Sequence, residues 1–127
     1  MNQVIAIAVG GAAGSVLRYW MSTALYNLLG RTFPYGTLAV NVLGCLLMGM
    51  LFVVFATRGT GDGVLRAGIL IGVLGGFTTF SAFSMETFIL IEEGALLKAL
   101  LNMAVSLVLC IVATWAGVIV TRHAMMQ

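Results

Sequence analysis

Charge is nearly missing from this chain. Asp, Glu, Lys and Arg make up 8% of 127 residues, against roughly 25% in a soluble domain, so a water-soluble fold is excluded. The six basic and four acidic side chains leave a net charge of +2. They form no basic cluster suited to nucleic acid and no acidic run suited to a disordered tail. The single histidine, His123, stands beside Arg122 near the C-terminus and reads as an interfacial polar side chain rather than a metal ligand or base. Cys45 and Cys110 lie inside apolar stretches without the spacing of a zinc site or redox pair, and read as small buried apolar side chains rather than a disulfide. No Ser–His–Asp set, carboxylate pair or phosphate-binding loop is present in the sequence, so an enzyme is not expected.

What remains is apolar. Hydrophobic residues make up 61% and the mean hydropathy is +1.14, which marks an integral membrane protein. A helix needs about 20 apolar residues to cross a bilayer, and the sequence divides on that measure into four spans, near residues 4–29, 35–56, 64–91 and 96–120. Val4 to Val9 followed by Ala12, Ala13 and Gly14 resembles a secretory signal, but no Lys or Arg precedes it. A retained first span is therefore expected. The short connectors leave no room for a soluble domain, and the expected fold is an all-α, up-and-down bundle forming one membrane domain over residues 1–127. Arg58, Arg66 and Arg122 fall on the side that holds both termini, against Arg31 and Lys98 on the other, joined by Arg18 if that side chain snorkels. So even a count leaves orientation unspecified by the positive-inside rule. Insertion in both orientations and an antiparallel, dual-topology homodimer are expected. Gly10 and Gly14, and Gly68, Gly72 and Gly76, recur every four residues and should let helices approach closely.

The third span carries the strongest local signal. Gly75-Gly76-Phe77-Thr78-Thr79-Phe80-Ser81 interrupts an apolar run with glycines and hydroxyls, and non-helical chain at membrane depth survives only where protein or a water-filled cavity serves its backbone. A break near residues 75–79 is expected, with Gly75 and Gly76 supplying the unusual backbone angles and freed carbonyls able to ligate a cation at the twofold axis of a dimer. Beyond it, Phe80, Ser81, Phe83 and Ser84 interleave rings with hydroxyls. Thr37 and Asn41, four apart, share one face of span two, and Asn102, Ser106 and Thr114 fall close to one face of span four. Hydroxyls, an amide and the positive edges of aromatic rings suit an anion that sheds water stepwise. Glu86 has three open roles: proton coupling, pairing with Arg18, or facing an aqueous vestibule.

Gly75 to Ser81 with Phe83, Gly36-Thr37-Leu38-Ala39-Val40-Asn41, and Gly14-Ser15-Val16-Leu17-Arg18-Tyr19 together resemble the Fluc/CrcB family of fluoride channels over essentially the whole chain. The resemblance implies a bacterial inner-membrane, multi-pass, dual-topology homodimer that passively exports fluoride and confers fluoride resistance. It further implies ring edges from Phe80 and Phe83 lining each pore, Asn41 as an amide donor beside them, Ser81, Ser106 and Thr114 on a hydroxyl track, and Arg18 and Glu86 shaping the vestibules. Carbonyls of Gly75 and Thr78 would hold a structural sodium ion between the subunits. Thr37 and Ser84 join this pore set from the pattern of polar residues. The family often has a tyrosine in span four near the position of Asn102 or Met103, and this chain departs from it there. The rival reading is a small multidrug-type proton-coupled exporter, which relies on a carboxylate in span one; this span one carries Arg18 and no acid, so the rival must recruit Glu86.

Overall fold

The computed structural model describes residues 1–57 and 63–126. Arg58, and most of the polar loop expected after span two, lie outside the described residues. Among the described residues, four helices are long and apolar enough to cross a bilayer: α1 (Asn2–Leu29), α2 (Tyr35–Thr57), the composite third span Gly63–Glu92, and the last, Leu96–Met125. The third comprises α3 (Gly63–Arg66), a π-helical stretch (Ala67–Leu74), α4 (Gly75–Phe77) and, after an interruption, α5 (Phe80–Glu92); the last is α6. The chain is thus an all-helical membrane protein with one interrupted span. α6 continues to Met125, past the expected end at Val120, because the polar residues Thr121, Arg122 and His123 prolong the helix beyond the apolar run. Gly30 closes α1 with φ 79° and Gly94 turns the chain into α6 with φ 74°, backbone conformations that only glycine adopts at low cost.

The spans pack as two parallel pairs. Along α1 and the third span, Gly10 meets Gly72 and Val73, and Gly14 meets Val73 and Phe77. A methyl group built on Gly10 would run into the Gly68 carbonyl, one on Gly14 into the Val73 carbonyl, and one on Gly76 would sit 2.6 Å from the Gly11 carbonyl oxygen. The glycine ladders therefore bring the two backbones into contact, as the four-residue spacing predicts. Along α2 and α6, Gly49 abuts the Thr114 carbonyl and Gly117 abuts the Leu46 carbonyl, while Thr57 Oγ1 donates to Met125 Sδ at 3.2 Å.

The interruption falls within the expected residues 75–79, but not at its glycines. Gly75 is α-helical (φ −64°, ψ −35°), and no glycine of the break has positive φ. The extended residues are Thr78 (φ −76°, ψ 156°) and Thr79 (φ −152°, ψ 114°). Threonine is at ease in extended backbone, whereas Gly76 is occupied by its contact with α1. Upstream, the wider π-helical turn coincides with Gly68 and Gly72, where α1 presses closest.

Candidate functional site

The break is held by one side chain. Asn41 Nδ2 donates to the Thr79 carbonyl at 3.0 Å, and the Thr79 N–H donates to Asn41 Oδ1 at 2.8 Å. The amide therefore pairs with both backbone groups of Thr79, a residue only 8% exposed. Thr79 then starts α5 as its N-cap, its Oγ1 accepting from the Ala82 N–H at 3.2 Å. The same Oγ1 lies 3.2 Å from Ser81 Oγ. In a continuous α-helix the Thr79 N–H would close on the Gly75 carbonyl; here it is diverted to Asn41. Gly75 is exposed and Thr78 half-buried. Neutral carbonyl oxygens at such an interruption fit a hard monovalent cation, which coordinates oxygen without requiring a counter-charge in the bilayer.

Past the break, the rings of Phe80 and Phe83 stand 5.2 Å apart at 45°. Phe80 is 78% exposed. Ser81 and Ser84 are exposed beside it, and Phe83 is half-buried. Hydrocarbon offers a serine hydroxyl no partner, so this strip of α5 is not a lipid-facing surface of ordinary composition.

One turn from Asn41, Thr37 meets Glu86. Glu86 Oε1 accepts from Tyr26 Oη at 2.6 Å and from Thr37 Oγ1 at 2.8 Å, and the two hydroxyls are 3.1 Å apart. Glu86 Oε2 is buried and has no hydrogen-bond partner. This node separates two clefts of about 290 and 280 Å³. The first is lined by Arg18, Ser15, Thr37, Thr79 and Glu86 and reaches the break. The second opens past Arg31, Pro34 and Glu93. Arg18 and Glu86 thus share a cleft, while the carboxylate's two hydrogen bonds go to hydroxyls. Arg31 lies 5.2 Å over the Tyr26 ring, a distance suited to a cation–π contact.

The span-four hydroxyls divide. Ser106 Oγ donates to Asn102 Oδ1 at 3.3 Å, Asn102 Nδ2 to Thr87 Oγ1 at 2.8 Å, and Thr87 Oγ1 to the Phe83 carbonyl at 2.7 Å. This relay runs from α6 to the Phe80–Phe83 segment of α5, through an Asn102 that is 1% exposed. Thr114 instead donates to the Cys110 carbonyl of its own helix at 3.0 Å and sits at the α2 seam. Thr78 Oγ1 likewise donates back to Leu74 at 3.0 Å. Two participants escape sequence reasoning. Tyr26 is one signal among several interfacial aromatics, and Thr87 lies outside the interleaved segment. A step of four from Phe83 to Thr87 was the available clue.

A family profile described as "CrcB-like protein, Camphor Resistance (CrcB)" matches residues 5–118. The chain belongs to the CrcB family. Among curated CrcB-family relatives, a protein of Methylococcus capsulatus named "Fluoride-specific ion channel FluC" is 52% identical over 120 residues, 94% of this chain but 53% of that protein. The chain thus spans about half the length of that relative. Proteins of the same name from Geobacter sulfurreducens, 49% identical over 97% of this chain and 99% of the relative, and Coxiella burnetii, 50% identical over 94% and 98%, match nearly end to end. The family shown is the one the glycine–threonine–phenylalanine segment resembles.

Proposed function

We propose that this chain forms a fluoride-selective channel of the bacterial inner membrane, working as an antiparallel, dual-topology homodimer that exports fluoride passively. The observation that carries the reading is the exposed strip Phe80–Ser81–Ser84, which adjoins half-buried Phe83 next to an interruption clamped by Asn41. Ring edges and hydroxyls on one strip offer weak, repeated contacts to a small dehydrating anion. A second copy facing it would shield the serines from hydrocarbon and complete the lining. Names carried by relatives matched nearly end to end support the substrate.

In this reading the anion enters beside Arg18, whose charge concentrates anions at the cleft mouth, passes Thr37 and Asn41, and moves along Phe80, Phe83, Ser81 and Ser84. Ser106 orients the relay to the Phe83 carbonyl, and Thr114, bonded to its own helix at the α2 seam, would join the track only by turning its hydroxyl away from the Cys110 carbonyl. Glu86, tethered by Tyr26 and Thr37, shapes the vestibule. A sodium ion held by the carbonyls of Gly75 and Thr78 would fix the two interruptions against each other; stripping sodium should weaken the dimer or its conduction, and indifference to sodium contradicts the site. No observation favours the proton-coupled exporter: α1 carries no Asp or Glu along its length, and the Glu86 carboxylate is already bound by two hydroxyls.

The reading is tested by growth. A fluoride-hypersensitive bacterium lacking its own fluoride export should regain growth in millimolar fluoride on expressing this chain, and should not on expressing equal amounts of Phe80→Ile or Phe83→Ile. Full rescue by both variants, or none by the parent chain present in the membrane, contradicts the assignment.

A further inference from the structure

Two thiols are left unused by the proposed pore. Cys45 continues the α2 stripe Thr37, Asn41, Cys45, Gly49, and Cys110 fills the gap in the α6 stripe Asn102, Ser106, Cys110, Thr114. Steps of four keep each stripe on one helix face. α2 and α6 run parallel with a register set by backbone contact, Gly49 against Thr114 and Gly117 against Leu46. One turn before the Gly49–Thr114 contact, that register brings Cys45 level with Cys110. Both thiols are free and half-buried on the facing sides of the two helices. Spacing along the chain does not signal this pairing, because the partners come from different helices.

We propose that Cys45 and Cys110 form a two-coordinate site for a soft, thiophilic divalent cation, with Hg²⁺ as the probe. Binding replaces two S–H bonds by two S–Hg bonds and releases two protons, with no electron transferred. Thiolates select soft ions, and two of them neutralise a divalent charge, so the product is a neutral complex that carries no desolvation penalty for net charge inside the bilayer. A four-coordinate ion such as Zn²⁺ has no comparable site: among the described residues no group of three or more His, Cys, Asp and Glu is placed to hold a metal. The bridge staples α2 to α6 one turn from the Asn41 clamp. It depends on the α2–α6 seam and not on which anion the protein conducts.

The experiment loads the purified, reduced, full-length protein with HgCl₂, washes it with excess monothiol, and counts retained mercury and alkylatable thiols by intact mass. One Hg per chain, both thiols protected, and no mercury-linked dimer on a denaturing gel are expected. Cys45→Ser and Cys110→Ser should each hold mercury about 10²-fold less tightly, the loss of one arm of a chelate. Retention by the single variants equal to the parent, two mercury ions per chain, protection of only one thiol, or mercury linking two chains overturns the proposal. The thiol-protection readout needs only the parent protein, so misfolding of a variant does not remove the test.

Discussion

Replacing Asn41 by leucine keeps the number and branching of the side-chain heavy atoms and removes the clamp on the third span. The Thr79 N–H loses its partner and the Thr79 carbonyl loses one of two, in a residue that is 8% exposed. An unsatisfied buried group costs about 1–3 kcal/mol, and neither hydrocarbon nor a packed interface replaces it. The Thr79 carbonyl, as the N-cap carbonyl of α5, keeps the first intrahelical bond, so the N–H bears most of the loss and the total falls near 2–4 kcal/mol. At 1.4 kcal/mol per tenfold, local opening becomes roughly 30- to 700-fold more frequent. Amide hydrogen exchange of the peptide covering residues 78–84, measured in detergent micelles, reads this directly. Thr79→Val is the comparison, since losing the cap alone costs about 1 kcal/mol and should accelerate exchange much less. If Asn41→Leu exchanges within about threefold of the parent, a change of under 1 kcal/mol, Asn41 does not hold the break and its role must be sought elsewhere.

Further outcomes follow from the same contacts. Gly14→Ala and Gly10→Ala place a methyl group against backbone carbonyls of the third span and should lower the detergent melting temperature sharply, while Gly75→Ala, whose nearest neighbour is 3.9 Å away, should melt near the parent; equal melting of all three would refute the backbone contact. Tyr26→Phe removes a hydroxyl from Glu86 and Thr37 yet keeps the ring under Arg31, so folding should persist while fluoride flux falls, because the loosened carboxylate repels anions in the Arg18 cleft. Unchanged flux would count against that tether. Asn102→Leu breaks the relay from Ser106 to Thr87 and should destabilise the protein by about 1–3 kcal/mol through the buried partners left behind; a melting temperature equal to the parent's would remove the relay from the account. Reporters fused to the C-terminus, one active on each side of the membrane, should both be active if the chain inserts in both orientations, and activity of only one contradicts the antiparallel dimer.

The spans were legible because twenty apolar residues leave little choice of structure, and the glycine ladders because small residues at four-residue steps announce close helix contact. The shared face of Thr37 and Asn41 also followed from helical spacing, and the structure uses it on Glu86 and Thr79. The exact break was not legible. Gly75 and Gly76 advertise backbone freedom, but the interruption belongs to Thr78 and Thr79 because a partner 38 residues away satisfies the backbone there. The Tyr26–Glu86 bond spans 60 residues, and no local pattern could select Tyr26 from the other interfacial aromatics. Cys45 and Cys110 read as unrelated for the same reason: only the parallel α2–α6 register brings them level.

The central claim, that this chain alone conducts fluoride, is tested most directly by efflux from liposomes holding only the purified protein, followed with a fluoride electrode after a potassium ionophore is added and with chloride release run alongside. Rapid fluoride release that stalls without the ionophore, with little chloride release, is the predicted result. Release of neither ion by folded protein, or fluoride release that needs a proton gradient instead of the ionophore, would contradict it.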